Sequence, residues 1–150
     1  VGKLAKWLRM MGYDSLFFNG EDDSGMVKQA LAEGRIILTR DTGMMQRRAV
    51  SSGRVRTVLI ESEEPERQIQ QLMSVFDLKG KSRPFTRCLE CNHLLESRSR
   101  EEMAGRLPPY VYRTQTQYME CPDCHRIYWR GTHWAAMMRK IDKLANNFNS

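Results

Sequence analysis

All four cysteines of the chain fall in two pairs, Cys88-x-x-Cys91 and Cys121-x-x-Cys124. A C-x-x-C knuckle sets two thiolates on one side of a single ion. A second knuckle completes the tetrahedral four-sulfur shell that zinc prefers. The stretch between the knuckles, residues 92–120, is longer than usual for a ribbon, so a long hairpin or an insertion is expected there. Two disulfides or a redox pair would use the same residues. Disulfides need an oxidising compartment, which nothing in the sequence indicates. A redox C-x-x-C stands alone and opens a helix after a strand. The pattern therefore reads as a structural zinc site. Four thiolates close the shell against water, so this ion holds structure and any catalysis lies elsewhere. His93 and His125 follow the knuckles closely but are not needed as ligands, and both are expected at the surface. His133 precedes Trp134 at the start of the last helix, where packing or capping is the expected role.

A second chemistry rests on carboxylates. Glu21-Asp22-Asp23 and the lone Asp41 are the candidates. Clustered carboxylates repel one another unless a cation lies between them, and carboxylate with water is the ligand set that magnesium or manganese favours. Such ions support phosphodiester cleavage. Thr39 is placed to hydrogen-bond a carboxylate or substrate, and Arg40 to face a phosphate. The same acids have plainer uses: Asp22 and Asp23 suit a turn and helix start, and Asp41 suits the cap of a short helix.

The elements that must position these groups follow from apolar spacing. Residues 3–11 read as a helix with Leu4, Trp7, Leu8 and Met11 on one stripe, and Gly12 is a natural stop. Residues 13–18 suggest a short strand. Ser24 is expected to cap a helix that runs to Glu33 and ends at Gly34. Ile36-Ile-Leu-Thr is a buried-strand signature, with Arg40 and Asp41 just past its carboxyl end. A short helix over 42–50, a strand over 55–60 and a helix opened by Pro65 follow, the last with Ile69, Leu72, Met73 and Phe76 inward. Strands alternating with helices predict a parallel α/β sheet, whose ligands bind beyond the carboxyl ends of the strands. The division expected is residues 1–80 and 85–150, with 78–84 as the linker. Tyr110-Val-Tyr and Ile127-Tyr-Trp are β-prone and expected beside the knuckles. Thr132 is expected to open a final helix whose stripe is Trp134, Met137 or Met138, Ile141, Leu144 and Phe148.

A chain of 150 residues is one ordinary domain or two small ones. The formal charge of +6 falls by about two once four thiolates hold a divalent ion. The surface stays basic, which favours polyanions such as nucleic acid or anionic lipid, or serves solubility alone. No apolar run is long enough to span a membrane, and no signal peptide is read. With the cysteine usage, this points to the cytoplasm. Val1 stands where a methionine would open a complete chain, so residues ahead of it are expected.

Several long motifs, in order, carry a resemblance. They are Gly2-Lys-Leu-Ala-Lys-Trp-Leu-Arg-Met-Met-Gly-Tyr-Asp14, Ile36-Ile-Leu-Thr-Arg-Asp41, Arg87-Cys-Leu-Glu-Cys-Asn92, Arg106-Leu-Pro-Pro-Tyr-Val-Tyr112 and Cys121-Pro-Asp-Cys-His-Arg-Ile-Tyr-Trp-Arg-Gly-Thr-His-Trp134. Together they resemble the Mut-seven C-terminal ribonuclease domain, a PIN-like nuclease fold followed by a zinc ribbon. The resemblance implies an acidic magnesium or manganese pocket holding Asp22, Asp23 and Asp41, and zinc on Cys88, Cys91, Cys121 and Cys124. It differs in two places. The family pattern has a short apolar strand ending in an acidic metal ligand ahead of the Gly-Lys-Leu helix, and the sequence given begins after it. Without that strand, apolar helix faces and ladder groups lack partners, so another segment or a partner is expected to fill the gap, or else the sheet region is poorly ordered. His125 also stands where glycine is more usual, at a position expected to need a tight turn.

The implied activity is a metal-dependent endoribonuclease. Lys3, Lys6, Arg9, Arg40, Arg126 and Arg130 are candidate RNA-backbone contacts, Lys3, Lys6 and Arg9 serving alternatively as a solvated helix face. Tyr128 and Trp129 stack bases or fill the ribbon core. The competing class is a non-catalytic module that docks RNA, a ribosome or a protein. The resemblance also admits a toxin-like nuclease paired with a partner protein.

Overall fold

Three amphipathic helices converge on one core. The computed structural model describes residues 2–18 and 22–149, the last three of these by backbone alone. Helix α1 (Gly2–Met10) buries Leu4, Trp7 and Leu8, with Met11 just beyond it. Two helices complete this core with the stripes that their 3.6-residue spacing predicts. Helix α4 (Pro65–Val75) contributes Ile69 and Leu72, with Met73 and Phe76 partly buried. Helix α6 (Thr132–Asn149) contributes Ile141 and Leu144, with Trp134, Met137 and Met138 packed alongside. Phe148 and Glu21 lie outside the residues whose side chains are described. The contact of α6 with the first half is tied by Lys140–Glu66 at 2.6 Å and Lys79–Asp142 at 3.0 Å. Two lysines also lie over the Trp7 ring, Lys3 at 5.9 Å and Lys140 at 5.7 Å. All of these ions are half exposed or more, so they orient α6 while apolar burial stabilises it.

The parallel α/β expectation is what the structure shows, on a small scale. Helix α2 (Asp23–Glu33) is followed by β1 (Ile37–Thr39), a 3₁₀ turn (Thr42–Gln46), α3 (Arg48–Ser51) and β2 (Thr57–Leu59). Strands β1 and β2 pair in parallel, Ile37 with Thr57 and Thr39 with Leu59. Val27, Ala30, Ile37, Met44, Val50 and Val55 form a second apolar cluster under them. Gly34 ends α2 in the left-handed conformation (φ 66°), and its N–H donates to Ala30. The cap at the other end is Asp22, not Ser24: the Asp22 carboxylate accepts from the Gly25 N–H at 2.8 Å, while the Ser24 hydroxyl accepts from Arg47.

The second half is an antiparallel ribbon. Its strands are β3 (Glu96–Arg98), β4 (Tyr118–Glu120) and β5 (Ile127–Tyr128), ordered β3-β4-β5. Between β3 and β4 lies α5 (Pro109–Thr114), which corrects the β reading of Tyr110-Val-Tyr. Pro109 supplies a helical φ at a position that needs no N–H donor. Val111 then reaches a third core with Met103 and Tyr118, whose hydroxyl donates to Gln115 at 2.6 Å. Local β preference yields to that packing.

Residues 13–18 also depart from the strand expectation. They have no ladder partner, and the Ser15 N–H donates instead to the side chain of Asn92 at 2.9 Å. Between them and β1 runs an open groove of ≈ 820 Å³, lined by Leu4, Leu8, Leu16, Phe17, Ile36 and Leu38 among others. Leu16, Phe17 and Ile36 are exposed there, and among the described residues β1 pairs with β2 alone.

The turn after α1 is tight. Gly12 has φ +95°, and a Cβ there would collide with the Arg83 carbonyl, just where the Arg83 N–H donates to Met11 at 2.7 Å. Gly12→Ala is expected to cost at least about 2 kcal/mol from backbone strain and overpacking. Denaturant unfolding of the variant beside Gly34→Ala, which has open space around it, checks this: the Gly12 change should cost clearly more.

Candidate functional site

Two short turns of the same shape build the sulfur site. In the first, Cys88 N–H donates to His93 and Asn92 N–H to Cys88, both at 2.9 Å. In the second, Cys121 N–H donates to Arg126 and His125 N–H to Cys121, also at 2.9 Å. Each turn closes on a left-handed residue, Asn92 at φ 65° and His125 at φ 64°. The tight turn expected at His125 is therefore present, and asparagine suits the matching position better than histidine. Inside each knuckle an N–H points at sulfur: Cys91 to Cys88 Sγ at 3.4 Å and Cys124 to Cys121 Sγ at 3.5 Å.

These turns bring the four Sγ atoms within 4.8 Å of one another. Sulfurs about 2.3 Å from one tetrahedral ion stand ~4 Å apart, so the set fits zinc. Their closeness also perturbs the thiols. The Cys91 thiol is pushed well up, first by the hydrogen bond it shares with Cys124, then by burial and the neighbouring thiols. Burial opposes charge on Cys124, yet the Arg126 backbone N–H and guanidinium bring it down to about 6. Four adjacent sulfurs thus share protons until a cation replaces them. The four cysteines can bind a zinc ion as a closed structural site.

The first knuckle is bolted to the amino-terminal half. Arg9, expected among the RNA contacts, is 8 % exposed. Its guanidinium donates to the Ser15 and Leu89 carbonyls, each at 2.8 Å, so it positions the knuckle on α1 and has no free face for a phosphate. Asn92 adds a second bolt, accepting from Ser15 and donating to Asp14 at 2.7 Å. Asp14 in turn takes both arms of Arg35, at 2.9 and 3.2 Å. The hydrogen bond from Arg35 is the main cause that holds the Asp14 carboxyl below the usual range.

On the far side of the ribbon a buried carboxylate organises the insertion. Glu120 is 5 % exposed. It accepts from Arg98 at 3.0 Å and from Arg106 at 3.1 and 2.9 Å, and lies 3.2 Å from His125 Nδ1. The Arg106 hydrogen bonds first, then Arg98 and His125, hold its carboxyl down to about 2 against burial.

The acidic candidates meet in part. Asp23, first residue of α2, and Asp41, past the carboxyl end of β1, come close enough to share a hydrogen bond. That bond is the main cause raising the Asp23 carboxyl above its ordinary range, with Arg47 opposing. Asp41 also caps the 3₁₀ turn, accepting from Gly43 at 2.9 Å, and its own N–H donates to the Thr39 hydroxyl at 3.1 Å. Asp22 lies beside the pair but spends one oxygen on its cap. Among the described residues, the cysteines form the one cluster of three or more metal-capable groups. Of the remaining cations, Lys6 pairs with Glu90 at 2.8 Å and Arg40 with Glu63 at 3.1 Å, both exposed. Arg130 lies over the Phe85 ring at 4.9 Å, and Arg126 stands beside Cys124. Trp129 packs on the Met103 cluster and Tyr128 points its hydroxyl into the knuckle, so both serve the ribbon interior. Arg47 and Asn92 escaped the sequence reading, since neither stands at a motif position with a chemical signature of its own.

Fold and site together define a mixed α/β domain that carries a four-cysteine ribbon and an acidic pair at a strand end. A family model described as the Mut7-C RNAse domain matches residues 1–141, and the chain belongs to that family. No curated protein and no solved structure matches the chain. No helix among the described residues is long and apolar enough to cross a membrane.

Two predictions follow from this geometry. Chelating the zinc should release the ribbon and also loosen the end of α1, because Arg9, Asp14 and Ser15 lose their partners. Hydrogen exchange should show protection falling around residues 8–15 as well as at the knuckles. Glu120→Gln should cost about 2 kcal/mol near neutral pH by leaving two guanidiniums short of a charge. A depressed folded pKa adds stability above the unfolded carboxyl value and loses it as pH falls toward about 2. The gap between wild type and variant in denaturant unfolding should therefore close as pH drops below about 4.3.

Proposed function

We propose that the chain is a metal-dependent endoribonuclease whose chemistry sits in residues 1–80, with residues 85–150 as a zinc-stapled ribbon and docking helix. The observation that carries this reading is the meeting of Asp23 and Asp41 at the carboxyl end of a parallel strand, in a chain of an RNase-domain family. Two carboxylates that repel each other at close range suit a divalent cation. Bound there, magnesium or manganese supplies a Lewis acid and an activated water for phosphodiester cleavage. Asp41 and Asp23 would hold it, with Asp22 alongside. Thr39 fixes the Asp41 backbone, and Arg40 with Arg47 offers positive charge to the RNA phosphates. Lys3, Lys6, Arg126 and Arg130 are further candidate contacts for the rest of the strand.

The groove beside β1 belongs to the same reading. Its apolar walls and the free edge of β1 suit an extended apolar strand, supplied by another segment or a partner protein. Such a strand would end near Asp41 and could bring a further acidic ligand. The competing reading, a non-catalytic module that binds RNA or a ribosome through the ribbon, is favoured by one observation: the described acids converge as a pair and not as a trio.

Cleavage of RNA by the full-length protein with manganese or magnesium tests the proposal. Asp41→Asn is expected to reduce cleavage at least about 100-fold, with RNA binding kept. Cation affinity should weaken on acidification, because the raised Asp23 carboxyl takes up its proton first. Salt-sensitive binding without cleavage, indifferent to Asp41→Asn and to divalent ions, would select the binding module.

A further inference from the structure

Tyr128 has a place in the sulfur site that ligand spacing does not assign. Its ring comes from β5, in the second half of the ribbon, yet its hydroxyl lies 3.1 Å from Cys88 Sγ in the first knuckle. The same oxygen lies 3.1 Å from the Leu89 N–H. A backbone N–H can only donate, so the phenol oxygen accepts from Leu89 and its own proton is free for the sulfur. Cys88 needs that proton. It is fully buried, out of reach of water, and its knuckle supplies a single N–H, from Cys91. Cys121, equally buried, has only backbone N–H donors, so the phenol distinguishes Cys88 from its counterpart in the other knuckle; Cys124 has Arg126, and Cys91 is partly exposed.

We propose that Tyr128 is a positioning residue of the zinc site, its hydroxyl donating to the Cys88 thiolate and tying one knuckle to the strand that leads out of the other. This does not depend on the ribonuclease reading, since it concerns only the sulfur shell. Removing the hydroxyl leaves two groups short of a partner at once, the buried Cys88 thiolate and the partly buried Leu89 N–H. Groups in contact with metal ligands commonly shift metal affinity by about 10–100-fold.

The test uses the full chain with Tyr128→Phe, which keeps the ring. Zinc transfer to a chromogenic chelator is expected to be at least about tenfold faster than in wild type. With cobalt in place of zinc, the sulfur-to-metal charge-transfer band is expected at longer wavelength, because a thiolate without its donor gives up charge more readily. An unmoved band overturns the proposal whether or not release is faster, since packing alone would then account for the change. A wild-type release rate overturns it as well. A measurement on the unaltered chain guards against a variant that fails to fold. Loaded with an NMR-active cadmium isotope, the wild type should show coupling between the metal and the Tyr128 hydroxyl proton, and its absence overturns the proposal.

Discussion

Four sulfur atoms crowded within 4.8 Å cannot all carry charge without a cation among them. That constraint governs more than the ribbon. The turns that present the sulfurs also present Asn92 and the Leu89 carbonyl, and these are the groups to which α1 and the following segment are fastened. Through Asp14 the same chain of contacts reaches Arg35, directly ahead of β1. Contacts thus link the zinc-capable turn to the residues just ahead of the small parallel sheet, although it lies some fifty residues further along the chain.

The two candidate chemistries are built in contrasting ways. The sulfur shell is closed, largely buried and made by turns whose hydrogen bonds repeat from one knuckle to the other. The acidic pair is open to solvent and assembled from residues that also serve as helix starts. A cap orients a carboxylate without consuming both of its oxygens. Asp41 can in this way end a strand, start a turn and still face Asp23. Structural economy of this kind explains why the acids looked ordinary in the sequence.

Much of this was legible beforehand where one physical rule dominated. The stripes of α1, α4 and α6 obey helical spacing, and their described inner residues lie in the core or pack against it. The cysteine pairs obey ligand spacing. The parallel pairing of β1 with β2 followed from alternation of strands and helices. What was not legible depends on partners far away in sequence. Arg9 looked like a solvated cation because nothing near it revealed carbonyls at Ser15 and Leu89. Residues 13–18 have strand composition, but the Ser15 N–H is claimed by Asn92 and the Ser15 carbonyl by Arg9. Tyr110-Val-Tyr has strand composition too, and the proline before it with the Met103 pocket decides otherwise. The Asp22 cap, in place of Ser24, shows how finely such starts are balanced between neighbouring polar residues.

The open side of β1 has a bearing on the behaviour of the chain in solution. An apolar strand edge flanked by Leu16, Phe17 and Ile36 is a template for any extended chain, including another copy in a partly unfolded state. The formal charge of +6 opposes such encounters through long-range repulsion. That repulsion reaches only about 8 Å at physiological ionic strength. By this physics, dilute buffers oppose edge-to-edge encounters of two copies more strongly than concentrated ones do.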